Sequence, residues 1–396
     1  MALFLQELYE ETRKAYQLEL ICGKQGLQNM MNWVYISEDI ATTSFLQGGE
    51  LIITTGITSQ RQENWLYDFI YALIQKNTCG LILNIGRYLQ PEDITENIRI
   101  LCEHHQYPLF LMPWETRIFD ITHDYYHRIF QETQTRQAIT DAFFSIIRGT
   151  QNIQEHAAFL TEHGYPMQQN YQICDIHYAI SAHLTEPSER IHSRLEFALE
   201  KHLKSTHPTF HLCCLPQHFL ILAPSGEETV FYEHILVLLE RLSLLYPELS
   251  FYCGIGSTAH TFHQLPKSYF HANSAASMAR YKKKILFSFQ QMGFFKILLS
   301  VNDPKILEDY VRERLGPVIA YDLSHNSNYQ ETLYQYLLHN GSIQKIAAAL
   351  FCHRNTINYR IHILKDELQY NLENVQVRCE LMTAYWIQEY LTQIQH

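Results

Sequence analysis

Short apolar runs alternate with longer helical patterns between Leu18 and Met112, and this alternation restricts the fold more than any other feature of the sequence. Runs of that length are typical of buried strands, and the segments between them repeat apolar residues at helical spacing. Because such alternation favours a parallel sheet covered by helices, we predict a small, mostly parallel α/β domain. The strands are predicted at residues 33–36, 51–54, 80–84 and 108–112, and the helices at residues 62–75 and 91–106.

Further patterns follow this domain. Residues 118–148 contain neither Gly nor Pro and carry apolar residues at helical spacing, which predicts one long connecting helix that ends at Gly149. Residues 171–255 predict the order strand, helix, strand, strand, helix, strand, which is that of a ferredoxin-like domain, and a further helix is predicted at 266–281. A helix that begins near Pro304 should stop at Gly316-Pro317, and the remainder is predicted to be helical.

Composition limits the class of protein. With 396 residues the chain is long enough for two or three domains of roughly 100 to 200 residues each. Nine cysteines without a C-x-x-C pair indicate a reducing compartment, so we expect a cytoplasmic location. The first residues are typical of an amphipathic helix rather than a signal peptide, and no apolar stretch approaches the roughly 20 residues of a spanning helix, so we expect no contact with a membrane.

A run without acidic residues stands out near the C-terminus. The net charge of −11 excludes DNA binding spread over the whole surface, because phosphates are attracted by a positive face, so any DNA site must be local. Residues 342–365 contain no Asp or Glu and have a local charge of +4. The four basic residues are Lys345, Arg354, Arg360 and Lys365.

Three short helices are predicted in succession around this run, at residues 329–339, 343–350 and 353–368. Ser342 is placed to cap the second helix, and Phe351-Cys352 leave a two-residue turn before the third. A short helix, a tight turn and a second helix form the arrangement that places a recognition helix in a major groove of DNA. The pattern alone equally fits a helical hairpin packed in an enzyme core.

The residues of the third helix favour DNA over an enzyme core. At about 100° per residue, Ile357, Ile361 and Leu364 form a narrow apolar stripe. Asn reads adenine through paired hydrogen bonds, and Arg binds guanine or phosphate. The candidate DNA-binding residues on the opposite face and its flanks are Arg354, Asn355, Thr356, Asn358, Tyr359, Arg360, His362 and Lys365, joined by Ser342 and Lys345 of the preceding helix. His353 lies closer to the apolar stripe, where a structural role competes with base reading.

The residues of three segments resemble one known family. Ala347-x-x-Leu350-x-x-His353-Arg354-Asn355-Thr356-x-x-Tyr359-Arg360 resembles the C-terminal helix-turn-helix of the PucR/CdaR transcriptional regulators. Phe45-Leu46-x-Gly48-Gly49-Glu50-Leu51-x-x-Thr54-Thr55-Gly56, with Gly80-Leu81-Ile82-Leu83 and Pro108-Leu109-x-x-x-Pro113-Trp114-Glu115, resembles their N-terminal sensory domain. Gly254-Ile255-Gly256 and Ser268-Tyr269-x-x-Ala272 resemble their GGDEF-like domain.

The resemblance implies a ligand-responsive regulator, usually an activator of a catabolic operon for purines, amino acids or sugar acids. Its expected partners are a double-stranded DNA operator, a small-molecule effector, a second copy of the chain or a larger homo-oligomer, and RNA polymerase. The implied domains are a PucR-type ligand-sensing domain at 1–116, a connecting helix at 117–150, a GGDEF-like domain at 151–300, and a helical domain at 301–396 with the helix-turn-helix at 342–368.

Two departures from the family pattern limit what the resemblance implies. Pro224-Ser225-Gly226-Glu227-Glu228 stands where a Gly-Gly-Asp/Glu-Glu-Phe turn would be sought, so cyclase activity is not expected and a structural or dimerising role remains. Phe351 replaces the glycine found in many helix-turn-helix turns and is expected to pack on the neighbouring helix. An enzyme descended from the middle domain and a protein-binding module remain as alternatives.

A small-molecule site is predicted where strands of the first sheet end, because ligands of parallel sheets bind at the carboxyl ends of the strands. The candidate residues are Thr54, Thr55, Asn84, Arg87 and Trp114. No catalytic residue, cofactor or metal is expected. His123 and His127 have the spacing of a zinc pair on one helical face, but with 22 histidines in the chain we interpret them as part of a solvated surface.

Overall fold

The computed structural model describes residues 3–59, 64–149, 152–181, 187–224, 228–301 and 303–393. The chain divides into two compact units, one formed by the described residues of 1–168 and 185–216, the other by those of 169–184 and 217–396. Sheets occupy the N-terminal and middle regions and the C-terminal region is helical, so the protein belongs to the mixed α/β class. Within the described ranges, no helix is long and apolar enough to cross a membrane.

The N-terminal region alternates strands and helices as predicted. Its first segment is shorter than the amphipathic helix that the sequence suggests, and the predicted helix at 91–106 is divided into a 3-10 turn at Pro91–Asp93 and a later α-helix. The elements are β1 (Leu3–Phe4), α1 (Leu5–Thr12), β2 (Glu19–Cys22), β3 (Met30–Met31), β4 (Trp33–Ile36), β5 (Glu50–Thr54), α2 (Trp65–Gln75), β6 (Gly80–Ile85), α3 (Glu96–His104), β7 (Leu109–Pro113) and α4 (Ile118–Ile147).

The first large sheet has the strand order β2-β7-β6-β5-β4. The four predicted strands, which became β4 to β7, are parallel to one another, and this part of the prediction is confirmed. Strand β2, an antiparallel edge strand beside β7, was not predicted. It begins with Glu19, so its apolar run is shorter than the four or more residues that indicate a buried strand.

Both faces of this sheet are covered, as a parallel sheet requires. One apolar core lies between the sheet and helices α2 and α3, around Phe69 and Leu101. The other includes α1 and the first half of α4, around Leu8, Tyr125 and Ile129. The second half of α4 is also apolar on one side and packs against α5 (Ile153–Glu162).

The middle region contains the elements in the predicted order. Gly254 and Gly256 allow a helix to lie directly on a strand, since a Cβ at Gly254 would be 2.0 Å from the Ala272 carbonyl oxygen and one at Gly256 would be 2.1 Å from that of Ser268. The elements are β8 (Tyr171–Ile180), α6 (Ser188–Thr206), β9 (His211–Cys214), β10 (His218–Pro224), α7 (Glu228–Leu245), β11 (Leu249–Ile255), α8 (Leu265–Tyr281), β12 (Leu286–Ser288) and α9 (Phe295–Leu298).

Strands β10, β8, β11 and β12 are neighbours in that order. The central strand β8 is antiparallel to both β10 and β11, and β12 is parallel to β11. Helix α8 packs on β8 and β11. Residues 225–227, the middle of the Pro224–Glu228 segment compared with the GGDEF turn, lie outside the described residues.

Five helices form the C-terminal region: α10 (Pro304–His325), α11 (Tyr329–Leu338), α12 (Ile343–Ala349), α13 (Arg354–Asp366) and α14 (Val375–Gln393). The prediction that Gly316-Pro317 stops α10 is wrong, because the helix continues through Pro317 to His325. Proline removes one backbone donor and its ring crowds the preceding turn. Leu315 and Val318 on either side are fully buried, and this packing outweighs the local preference.

Helices α10 and α14 each belong to two apolar cores. Leu307 of α10 and Ile387 of α14 lie in a core with residues of α8 and β12. Further along, Leu315 of α10 and Leu381 of α14 lie in the core of the three short helices. These two helices therefore join the middle sheet to the C-terminal helices within one compact unit.

Candidate nucleic-acid interface

The three short helices α11, α12 and α13 pack around a small apolar core. Ile357, Ile361 and Leu364 of α13 are buried, as the helical spacing predicts, and Ile346 of α12 lies against them. Asp322 helps to start α11, because its carboxylate accepts hydrogen bonds from the backbone amides of Tyr329 (2.7 Å) and Gln330 (2.8 Å). The core thus fixes which side of α13 faces outward.

The turn between α12 and α13 differs from the prediction. Phe351 has a φ of +52° and is 97% exposed, so the expectation that it packs on a neighbouring helix is wrong. Positive φ is costly for a residue that carries a Cβ, whereas Gly adopts it freely. His353 follows at the N-cap of α13, where its Nδ1 accepts a hydrogen bond of 3.3 Å from the Asn355 amide.

The outer face of α13 presents polar side chains to solvent. Tyr359 is 62% exposed. The other exposed residues of this face and its flanks are Arg354, Asn355, Thr356, Asn358 and His362, and Lys345 is exposed on α12. Among the ion pairs of the described residues, none involves Lys345 or Arg354. We refer to this set of seven residues as the polar face.

Three candidates at this site, including His362 of the polar face, already have partners in the chain. Arg360 is half-buried and donates a hydrogen bond of 3.0 Å from Nη1 to Thr332 Oγ1. Lys365 pairs with Glu373 at 2.5 Å, and this contact raises the pKa of the lysine. His362 forms an ion pair with Asp366 on the next turn of the same helix.

The positive charge around α13 is lower than residues 342–365 alone indicate, because Glu373 pairs with Lys365 and Asp366 pairs with His362. Ser342 is at the N-cap of α12 as predicted, although its hydroxyl accepts no hydrogen bond from the described amides of the first turn.

At the N-terminal sheet, the candidate effector residues Thr54 and Thr55 bind a residue that the sequence analysis missed. Both hydroxyls donate to the Glu38 carboxylate at 2.9 Å, and the amides of Thr55 (2.8 Å) and Gly56 (3.0 Å) do the same. Glu38 follows the edge strand β4 rather than one of the inner strands. Its place shortly after β4 is the sequence signal that could have identified Glu38, because polar residues at the ends of parallel strands were the basis of the prediction.

The other three effector candidates lie after β6 and β7. Asn84 is buried and donates to the Pro113 carbonyl at 2.9 Å. Arg87 is exposed, and its Cζ is 5.7 Å from the centre of the Trp114 ring. The loops also meet, because a Cβ at Gly56 would be 2.4 Å from Leu89 Cγ. The carboxyl ends of β5, β6 and β7 thus bring the five predicted residues to one edge of the sheet, where Thr54, Thr55 and Asn84 are already hydrogen-bonded.

The C-terminal geometry defines a class of protein. Two helices joined by a tight turn, with an apolar inner side and a polar outer side on the second helix, form a helix-turn-helix. Family models agree with this: the PucR C-terminal helix-turn-helix domain matches residues 329–387. The purine catabolism regulatory protein-like family, PucR, matches residues 7–129, and the GGDEF-like domain matches residues 149–278. The chain therefore carries a PucR-type N-terminal region, a GGDEF-like middle region and a PucR-type C-terminal helix-turn-helix.

Its relatives in Bacillus subtilis match over limited segments. The proline-responsive transcriptional activator PutR is 29% identical over 133 residues, which are 33% of this chain and 32% of PutR. The DNA-binding transcriptional activator AdeR is 29% identical over 92 residues, 23% of this chain and 22% of AdeR. The purine catabolism regulatory protein is 28% identical over 102 residues, 26% of this chain and 19% of that protein. Each alignment spans about a third of the relative's length or less.

One solved structure is also similar. The crystal structure of a regulator of polyketide synthase expression from Bifidobacterium adolescentis aligns with 64% of this chain and 93% of its own, at 15% identity and a TM-score of 0.27. That score is too low to relate the domain arrangements of the two proteins.

Proposed function

We propose that this protein is a transcriptional regulator that binds duplex DNA through α13 and responds to a small metabolite. The observation that carries the proposal is the polar face: α13 buries its apolar stripe and presents Asn355, Asn358 and Tyr359 outward. Asparagine on an exposed helix can bind the adenine edge in the major groove, and Lys345 and Arg354 are available for phosphates. Arg360 acts in part through Thr332, by holding α13 in place.

A dimer is part of this proposal, because it would place two copies of α13 in successive major grooves roughly 34 Å apart. The operator should then contain two half-sites. We further propose activation of a catabolic operon, with RNA polymerase as the partner, since PutR and AdeR are both described as transcriptional activators. The corresponding proposal for the chain is a sensing domain at 1–116, a connecting helix at 117–150, a GGDEF-like domain at 151–300 and a helical domain at 301–396.

The test is a selection of duplexes from a random library by the full-length protein, followed by affinity measurements on the selected site at fixed salt. Asn355→Ala and Asn358→Ala should each weaken specific binding by about 1–3 kcal/mol. Arg354→Ala should weaken specific and non-specific binding alike and reduce the salt slope by about one unit. Lys305→Ala, which removes an exposed charge from α10, is the matched control.

Two results would oppose the assignment of the polar face. The first is a library that enriches no site, and the second is an affinity that neither asparagine variant changes. Steep salt dependence with no sequence preference would indicate only non-specific DNA binding.

We propose the edge of the N-terminal sheet as the effector site, with Arg87 as the charged group that meets an anionic ligand. PutR is described as proline-responsive and another relative as a purine catabolism regulator, so amino acids and purine breakdown products are the first compounds to screen, followed by sugar acids. A ligand that binds only the folded chain raises its melting temperature. Arg87→Ala should abolish that rise, whereas Arg13→Ala, at another exposed arginine, should retain it.

We propose that the middle domain is not an enzyme. The matched relatives are described as transcriptional regulators, and the GGDEF-like match is one of fold. Incubation of the full-length protein with GTP and Mg²⁺ tests this directly, and a robust turnover rate would contradict it.

A further inference from the structure

Three potential metal ligands meet on one face of the middle sheet. Asp175 and His177 are two residues apart on β8 and so point to the same side, and His218 of β10 lies directly opposite His177 in the strand register. Among the described residues, these three form a group of His, Cys, Asp or Glu side chains that lie close enough together to hold one ion. No sequence pattern predicts this cluster, because the two strands come together only in the folded sheet.

The side chains of this cluster are close enough to share one ion. His177 Nε2 is 3.1 Å from Asp175 Oδ2, His218 Nδ1 is 3.1 Å from Asp175 Oδ1, and the two ring nitrogens are 3.3 Å apart. Ligand atoms at about 2.0–2.1 Å from a tetrahedral zinc ion are separated by about 3.3 Å. The two histidine nitrogens face different oxygens of the Asp175 carboxylate, and one ligand atom from each of the three residues lies within 4.8 Å of the others, which leaves room for a single ion.

Burial of the carboxylate provides a second, independent indication. Asp175 has no exposed surface, and the neighbours of its carboxylate include the rings of His177 and His218, each 3.1 Å from one of its oxygens. A buried carboxylate is costly unless positive charge or hydrogen-bond donors compensate it, and a shared metal ion would supply that charge. Its Oδ2 also accepts a hydrogen bond of 3.1 Å from Asn273 Nδ2 on α8, which fixes the orientation of the carboxylate.

Solvent can reach the cluster from the histidine side. The side chain of His177 is 37% exposed and that of His218 is 18% exposed, so an ion can enter without unfolding the sheet. Two imidazole nitrogens and one carboxylate suit zinc or a similar divalent transition ion, whereas magnesium prefers oxygen ligands in octahedral geometry.

We propose that Asp175, His177 and His218 bind one divalent transition-metal ion, with Zn²⁺ as the natural candidate. Three protein ligands leave the fourth position for water or for an anionic oxygen of a small ligand, such as a carboxylate or phosphate. The site is separate from the polar face and from the proposed effector edge, and it stands whether or not the DNA-binding proposal holds.

The test uses Co²⁺ and Zn²⁺ with the full-length protein after treatment with a chelator. Wild-type protein should bind one Co²⁺ per chain with the visible absorption of a four-coordinate complex, and Zn²⁺ should displace it. His177→Ala should weaken binding by about 100-fold or more, because loss of even an outer partner of a metal ligand costs 10- to 100-fold. Because His177 is partly exposed, this variant is expected to fold, which circular dichroism checks, and His218→Ala provides a second ligand variant.

The matched control is the double variant His123→Ala and His127→Ala, which removes an exposed histidine pair from α4. This control should bind Co²⁺ as tightly as wild type. The proposal is overturned if wild-type protein binds no Co²⁺, if the His177→Ala and His218→Ala variants bind as tightly as wild type, or if only the α4 control loses binding.

Discussion

Arg360 Nη1 donates a hydrogen bond of 3.0 Å to Thr332 Oγ1, and Thr332 has no exposed surface. The same threonine hydroxyl donates to the Asn328 carbonyl at 3.2 Å. The contact connects α13 to α11, so a residue chosen from the sequence as a DNA contact also holds the recognition helix in place. A loss of DNA binding in Arg360 variants would therefore have two separable causes, which are the loss of a DNA contact and the displacement of α13.

Arg360→Ala should lower the free energy of unfolding by about 1–2 kcal/mol, because the buried Thr332 hydroxyl loses its charged partner. Urea denaturation of the full-length protein measures this. Arg354→Ala, at an exposed position on the same helix, should change stability by less than about 0.5 kcal/mol. If Arg360 only supports α13, Thr332→Val should reduce DNA affinity as much as Arg360→Ala; a larger loss in Arg360→Ala would indicate direct contact with DNA.

Asp322→Ala should destabilise the C-terminal helices by about 1–2 kcal/mol, because the carboxylate satisfies the two free amides at the start of α11 and also accepts a bond of 2.7 Å from Ser327 Oγ. Asp322→Asn keeps one acceptor oxygen and should lose less. Denaturation followed by helix circular dichroism checks both variants. Equal stability of the alanine variant and the wild type would show that water replaces these bonds without cost.

Phe351→Gly should raise stability by about 0.5–1 kcal/mol, because glycine adopts the left-handed φ without strain and the exposed ring contributes little packing. Phe351→Ala keeps a Cβ in the same conformation and should leave stability almost unchanged. Thermal unfolding compares the three proteins. A clear loss of stability in both variants would mean that the ring packs against the protein in solution, and a loss of DNA affinity in both would place the ring at the DNA.

The pKa of His211 is lowered by burial and by the nearby Arg136 charge to about 3. The unfolded chain, with an ordinary histidine pKa of about 6.5, takes up this proton first, so the stabilisation present above pH 6.5 is lost as the pH falls towards 3. Between pH 7 and pH 5 the wild type should lose about 2 kcal/mol more than His211→Gln.

Urea denaturation at the two pH values measures this difference. Thr140→Val removes the partner of His211 Nε2 but keeps the imidazole, so it should retain the pH dependence of the wild type. Parallel loss of stability in wild type and His211→Gln would contradict the assignment.

Local patterns were sufficient to predict elements whose residues lie next to each other in sequence. The four parallel strands, the long α4, and the buried stripe of Ile357, Ile361 and Leu364 all follow from apolar spacing. The path of α10 through Pro317 did not follow, because the burial of Leu315 and Val318 depends on α11 and α14 and is not visible in local sequence. The exposed, left-handed Phe351 escaped prediction for the related reason that a backbone angle at a turn is set by how two helices meet.

The candidate functional residues divide in the same way. The outward direction of Asn355 and Tyr359 is a property of one helix, so the sequence predicts it. Glu38 beside Thr54, and His218 beside Asp175, are contacts between separate strands and depend on register. A one-residue change in the pairing of β8 and β10 would turn the histidines to opposite faces, and no local pattern fixes that register.

Because α10 and α14 are each anchored in both the middle core and the helix-turn-helix core, the recognition helix cannot tilt on its own without opening one of them. The middle core and the helix-turn-helix core are therefore expected to move as one rigid body. A shift of α8 or β12 would then change the orientation of α13 together with that of α10 and α14. In the proposed dimer, DNA binding would then be controlled by a change in the distance between the two copies of α13, rather than by a change in the structure of either helix-turn-helix.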